Sequence, residues 1–188
     1  GLGFAQQGWR RWGERMQEDV EDAVAQVVRD KGLDAGRVAI MGASYGGYAA
    51  LMGAVRRPDL YKAAIAICGV SDLPEMLAAE KRDDDTPTKE VFGFWKKRIG
   101  DPDVDKTMLE ASSPRRRAAE IVCPILLVHG VDDQIVPVEQ SRIMNSALRG
   151  ARRTVELVEV PDAGHGDWEE EDEKDLMGRY VALLRRAF

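Results

Sequence analysis

The chain has 188 residues, a length that suits one domain. Its 27 lysines and arginines stand against 33 aspartates and glutamates, and the net charge of −6 excludes the basic surface typical of a nucleic-acid-binding protein. The sequence has no long apolar run of the kind that spans a membrane and no histidine and cysteine spacing typical of a metal site, so neither a membrane partner nor a cofactor is predicted. The two cysteines, Cys68 and Cys123, are expected to be small core residues without a disulfide, and a cytoplasmic location is the default expectation.

The pattern of apolar residues predicts helices that alternate with strands along most of the chain. A helical stripe over residues 14–31 comes first, and Gly32 stands where a helix would end. Helices are then predicted over 46–56, 137–148 and 168–188, and strands over 37–41, 62–68, 121–129 and 155–160. This alternation indicates an α/β fold in which helices flank a mostly parallel sheet.

The predicted strand at 37–41 runs directly into Gly42-Ala43-Ser44-Tyr45-Gly46, a Gly-x-Ser-x-Gly motif. A strand that turns straight into a helix at this motif places the serine at the apex of a sharp bend, beside the free N–H groups of the helix start. Such a hydroxyl suits a nucleophile whose transition state carries an oxyanion. A phosphate-binding loop is the alternative, but the sequence contains neither the Walker spacing nor Gly-x-Gly-x-x-Gly.

An acid and a histidine follow later strands in the order that a Ser-Asp-His triad requires. Asp133 comes just after the predicted strand at 121–129, and His165 lies on a glycine-flanked loop after the strand at 155–160. Because functional residues of α/β sheets lie beyond the carboxyl ends of strands, Ser44, Asp133 and His165 are predicted to meet there. The neighbouring Asp132 is expected to brace the turn.

The chain has only one other histidine, His129. It ends an apolar strand and is therefore expected to be a buried histidine that hydrogen-bonds its own turn. A general base needs an accessible ring within reach of the nucleophile, and this requirement favours His165.

Three segments together resemble the prolyl oligopeptidase family of serine peptidases, and especially its acylaminoacyl-peptidase-like branch. They are Gly-Ala-Ser-Tyr-Gly-Gly-Tyr at 42–48, His-Gly-Val-Asp-Asp-Gln-Ile-Val-Pro at 129–137 and Asp-Ala-Gly-His-Gly at 162–166. The resemblance implies an α/β-hydrolase fold with Ser44 as nucleophile, Asp133 as orienting acid and His165 as general base. It also implies that the backbone N–H of Tyr45 is one oxyanion donor, while no residue here matches the tyrosine hydroxyl that is the family's second donor.

The resemblance also implies that strands are missing before the elbow. Residues 1–36 show one helix and no clear strand, so we expect residues 1–188 to form a partial hydrolase domain that lacks the first strands and the family's β-propeller. The strand at Arg37–Met41 would then be an unpaired apolar edge. We expect another copy, a companion chain or the folded-back opening segment to cover it.

Residues 70–118 are expected to form a helical specificity insertion with a polar loop at 81–85. By family position Val70, Leu73 and Met76 would line the substrate pocket, and Phe92, Phe94 and Trp95 would close it; the alternative is that these aromatic residues simply pack a helix on the core. The cluster Arg115-Arg116-Arg117 is expected to be a solvated helix face, and docking of the missing domain is the alternative.

The predicted activity is hydrolysis of short peptides or acyl-peptides through an acyl-enzyme. Two alternatives stay open at this point. Ile135 stands where family members often carry an arginine or asparagine that holds a substrate carbonyl, which keeps a carboxylesterase in consideration. The missing oxyanion loop likewise allows a catalytically silent fragment that serves as an assembly module.

Overall fold

Four parallel strands form one sheet in the described parts of the chain, which are residues 1–82, 86–166 and 168–188 of a computed structural model. The side chains of residues 82–89 lie outside this description, as does most of the loop predicted at 81–85. The strands are β1 (Val38–Ala43), β2 (Tyr61–Ile67), β3 (Ile125–Gly130) and β4 (Val155–Val160), and they pair in this order. The predicted parallel α/β fold is confirmed.

Helices connect the strands and cover both faces of the sheet. They are α1 (Leu2–Gln7), α2 (Arg15–Lys31), α3 (Tyr45–Arg56), α4 (Leu73–Arg82), α5 (Thr86–Ile99), α6 (Lys106–Ala111), a 3₁₀ helix (Pro114–Glu120), α7 (Glu139–Gly150) and α8 (Glu170–Ala187). Because successive strand residues face opposite sides, Leu127 packs in the larger core with α3 and α7, whereas Leu126 and Val128 pack under α8.

Most predicted boundaries agree with the structure within two residues, and β3 is the main exception. The apolar run from residue 121 was expected to be strand throughout, but the strand begins only at Ile125. Pro124 lacks the N–H that a central strand needs, and Ile121 and Cys123 are buried in the larger core without belonging to the sheet. The opening segment also contains α1, a short helix that the sequence pattern did not indicate.

The segment between β2 and β3 is helical where it is described, and an ion-pair cluster ties it together. The carboxylate of Asp72 is fully buried and lies 3.0 Å from both Arg115 and Arg116. These two arginines are therefore partners of a buried acid, and the prediction of a simply solvated face was wrong for them. The pair anchors the 3₁₀ helix to the start of α4.

Strand β1 is an edge of the sheet in the single chain, with β2 as its neighbour. The opening segment does not fold back over it, because the backbone N–H of Arg10 donates to Arg98 and the ring of Trp9 lies under Lys97 and Arg98 of α5. The expectation that the opening segment covers β1 was therefore wrong. Apolar grooves adjoin β1, between it and α2 and beside the end of α8.

Candidate active site

Ser44 sits at the apex of a tight turn between β1 and α3. Its φ of 56° and ψ of −121° lie in a region that residues other than glycine rarely adopt. The turn closes because Gly42 and Gly46 approach each other so closely that a Cβ at Gly42 would lie 2.3 Å from the carbonyl oxygen of Gly46. The Ser44 N–H donates to the carbonyl of Ile67 at 2.8 Å, which fixes the turn to the end of β2.

The hydroxyl of Ser44 is left available by this turn. The residue is half-buried and its side chain makes no capping hydrogen bond to α3. The N–H of Tyr45 belongs to the first turn of α3, where backbone donors have no partner within the helix. The Tyr45 ring packs edge-on against Trp12 at 4.7 Å, and burial raises the pKa of its phenol to about 12, so the ring is neutral and structural.

Asp133 follows β3 with its carboxylate fully buried. Oδ1 accepts hydrogen bonds from the N–H groups of Ile135 and Val136, both at 2.9 Å, and Oδ2 lies 2.7 Å from Nδ1 of His165. Burial alone would raise the pKa of this carboxyl, but the hydrogen bonds from His165, Val136 and Ile135 lower it below its ordinary value. Asp133 is therefore an ionised acceptor that orients the His165 ring.

The loop that carries His165 is attached to the loop that carries Asp133. The N–H of Asp132 donates to Ala163 and that of Val131 donates to Val160, both at 2.9 Å. A Cβ at Gly130 would lie 2.3 Å from the carbonyl oxygens of Ala163 and Gly164, so only glycine allows this approach. The exposed Asp132 thus braces the turn through its backbone.

The parallel sheet places the three predicted triad residues at its carboxyl end, because β1, β3 and β4 all end there. The structure joins Asp133 to His165, whereas no hydrogen bond links the Ser44 hydroxyl to His165 in the described parts of the chain. Such contacts are often long before substrate binds. The His165 side chain is 27% exposed, and with Nδ1 directed at Asp133 its Nε2 is available to accept a proton.

His129 lies close to this site without occupying the position of a base. It is fully buried, its Nδ1 is 2.7 Å from Ser141 Oγ, and its Nε2 is 2.8 Å from the carbonyl oxygen of Val136. The expectation of a buried histidine bonded to its own turn is confirmed. Burial lowers the pKa of the ring.

His129 also belongs to the group of potential metal-binding side chains found in the described residues. Donor atoms of His129, Cys68 and Asp133 lie within 4.8 Å of one another. Both nitrogens of His129 and both oxygens of Asp133 already have hydrogen-bond partners, so the group is accounted for without an ion. Neither cysteine forms a disulfide, as expected.

The predicted pocket residues lie mainly in the larger core. Val70, Leu73 and Met76 are buried there, and Leu73 has no exposed surface. Phe92 and Trp95 are partly buried and pack on the same core, whereas Phe94 is 45% exposed. Packing thus explains much of what these side chains do in the single chain, and their contact with a substrate stays a prediction.

The four-stranded parallel sheet and the serine elbow define an α/β-hydrolase fold. The sequence pattern described as "Prolyl oligopeptidase family" matches residues 1–188. The chain belongs to the prolyl oligopeptidase family of peptidases.

Named relatives agree with this assignment. Dipeptidyl aminopeptidase BIII from Pseudoxanthomonas mexicana is 34% identical over 175 residues, which cover 88% of this chain and 24% of that protein. The human acylamino-acid-releasing enzyme is 32% identical over 168 residues, covering 89% and 23%. The solved structure of the Pyrococcus horikoshii acylaminoacyl peptidase superposes with a TM-score of 0.82 at 25% identity, covering 96% and 30%. The chain therefore spans about a quarter of the length of these two curated relatives. Among the described residues, none of the helices combines the length and the hydropathy that a membrane-spanning segment requires.

Proposed function

We propose that this chain carries the catalytic centre of a serine peptidase that hydrolyses short peptides or acyl-peptides. The observation that carries the proposal is the 2.7 Å hydrogen bond between the buried Asp133 carboxylate and His165, at the carboxyl end of the sheet where the elbow presents Ser44. A serine is activated when an acid fixes the tautomer of an imidazole and that imidazole faces a hydroxyl held on a strained turn.

The reaction begins when Ser44 Oγ attacks the substrate carbonyl while Nε2 of His165 accepts the hydroxyl proton. Asp133 stabilises the resulting imidazolium through Nδ1, and the N–H of Tyr45 donates to the oxyanion. The imidazolium then protonates the leaving amine, and the C–N bond breaks to give the acyl-enzyme. His165 next activates water, which releases the acid and regenerates Ser44.

A peptide substrate is supported by the two named relatives, an aminopeptidase and an acylamino-acid-releasing enzyme. We propose that Val70, Leu73 and Met76, with Phe92 and Trp95, shape a pocket for an apolar side chain. The competing candidate is a carboxylesterase, because Ile135 is 58% exposed beside the acid and offers no polar group to hold a peptide carbonyl.

Parallel assays of aminoacyl anilides and short acyl esters separate the two candidates. Preference for the anilide supports the peptidase, whereas turnover of esters alone supports the esterase. A fluorophosphonate probe tests whether the site is reactive at all: we expect the wild type to be labelled and Ser44→Ala to remain unlabelled. An unlabelled wild type would instead favour a silent assembly module.

The unpaired edge of β1 supports a further proposal about assembly. We propose that a strand from a second copy or a companion chain pairs with β1, because the backbone groups of β1 and the adjoining apolar grooves are otherwise exposed to solvent.

A cytoplasmic location is proposed as well, supported by the two unpaired cysteines, and cell fractionation tests it.

A further inference from the structure

We propose that His129 is a positioning residue for the triad acid: it holds the turn that aims Asp133 at His165. This inference rests on the proposed function, because it assigns a role within the same site. The residue lies in β3, four positions before Asp133, and its ring is enclosed between that strand, the following turn and α7. The reaction steps derived above leave this ring unused.

The surroundings of His129 fix its tautomer. Nε2 faces two acceptors, the carbonyl oxygen of Val136 at 2.8 Å and Oδ2 of Asp133 at 3.3 Å, so Nε2 must carry a proton. Nδ1 lies 2.7 Å from Ser141 Oγ, a group that can donate or accept. Since burial favours the neutral ring, Nδ1 accepts and the Ser141 hydroxyl donates.

The shorter of the two Nε2 contacts shows how the ring acts. The carbonyl of Val136 accepts from His129, while the N–H of the same residue donates to Oδ1 of Asp133 at 2.9 Å. One peptide segment therefore connects the imidazole to the acid. By holding Val136, His129 holds the N–H donors that orient the carboxylate, and the longer contact to Oδ2 is secondary.

The titratable and charged groups around His129 agree with a neutral ring. They are Asp133, with His165 beyond it, the buried thiol of Cys68, and Glu159, which pairs with Arg142 on the exposed side. Burial raises the pKa of the Cys68 thiol to about 12, so it adds no charge. Asp133 thus keeps its full negative charge for His165.

The experiment compares His129→Leu with His129→Gln in the intact protein. Leucine removes the N–H and leaves the Val136 carbonyl without a donor, whereas the glutamine amide can place an N–H near the position of Nε2. We expect kcat/KM to fall about 10- to 100-fold in the leucine variant, the effect of leaving a buried acceptor unpaired, and to stay near the wild-type value in the glutamine variant.

The pH profile separates positioning from plain stability. With Asp133 poorly aimed, the imidazolium of the base is less stabilised, so the acidic limb of kcat/KM should move to lower pH in His129→Leu and not in His129→Gln. Leu148→Ala is the control, because Leu148 is a fully buried residue of α7 whose loss lowers stability without touching this network. Its acidic limb should stay in place.

A second readout needs no substrate. The ¹⁵N NMR signals of His129, assigned by their loss in His129→Gln, should show a neutral ring protonated at Nε2, and Ser141→Ala should weaken this preference. A ring protonated at Nδ1, an acidic limb that stays fixed or moves to higher pH in His129→Leu, or equal loss in both His129 variants would overturn the proposal. A wild type without any turnover would count against the proposed function instead.

Discussion

The φ and ψ angles of Ser44 lie in a region that only glycine adopts without strain. This creates a testable conflict between stability and activity. Conformations of this kind cost about 1–3 kcal/mol in other residues, so Ser44→Gly should have a free energy of unfolding about 1 kcal/mol above that of Ser44→Ala. Both variants should lose turnover, since each lacks the hydroxyl. Urea titrations and peptide assays measure the two effects.

The control for this prediction is the same pair of changes at Ser146, an exposed residue inside α7. There glycine should be less stable than alanine by about 1 kcal/mol, because a helix interior disfavours glycine. The order of the two variants should therefore reverse between Ser44 and Ser146. The same order at both sites would show that the elbow stores no strain.

Gly130 sets the distance between the Asp133 and His165 loops. Gly130→Ala would place a methyl group 2.3 Å from two carbonyl oxygens of the His165 loop, so that loop must move away. We expect a large loss of kcat/KM together with a lower melting temperature. Gly150→Ala is the matched control, because a Cβ there meets nothing within 4 Å. Wild-type activity in Gly130→Ala would contradict the role given to this contact.

The residues proposed for chemistry could be chosen from the sequence because each follows a recognisable strand or turn. Ser44 stands between glycines, and Asp133 and His165 come just after apolar runs. The sequence indicated a buried His129 bonded to its own turn, but the Val136 carbonyl as its partner could not be foreseen in the same way. It depends on how residues 133–136 fold back on β3, and apolar periodicity carries no information about that turn.

Among the elements, α4 and the 3₁₀ helix are joined by a buried acid, in addition to the hydrogen bonds that Leu73 and Arg115 donate between the two segments. Asp72 has no exposed side-chain surface and pairs with Arg115 and Arg116, so Asp72→Ala takes this buried acid from both arginines and leaves Arg116 with Glu110. We expect a loss of about 2 kcal/mol in the free energy of unfolding, because hydrogen bonds between charged groups are lost. Arg115→Met should cost much less, because Arg116 still pairs with Asp72. Chemical denaturation measures both, and equal losses would contradict this reading.

Element boundaries were predictable where the apolar pattern ends at a residue that caps a helix or breaks a strand. Helix α2 ends at Lys31 because Gly32 supplies the left-handed cap, with φ of 61°, and β4 covers the residues its apolar run indicates. The start of β3 was not predictable from apolar character alone. Ile121 and Cys123 are as buried as strand residues, but they reach the core from a connection that precedes Pro124. Burial and strand pairing are different constraints, and an apolar run reports only the first.

At the scale of the whole molecule, the β1 edge should control self-association of the 188-residue chain. Its Met41 side chain is 52% exposed, and among the described residues the backbone donors and acceptors on the side of β1 away from β2 have no strand partner. Because lysine on an edge strand opposes pairing with a second sheet, Met41→Lys should shift the chain toward monomer. Val104→Lys is the control, since Val104 is 78% exposed in the connection between α5 and α6, away from the sheet. Sedimentation velocity over a wide concentration range measures the effect. A wild type that stays monomeric throughout, or equal effects of the two lysines, would show that β1 does not pair with a second copy and would leave a companion chain as its proposed cover.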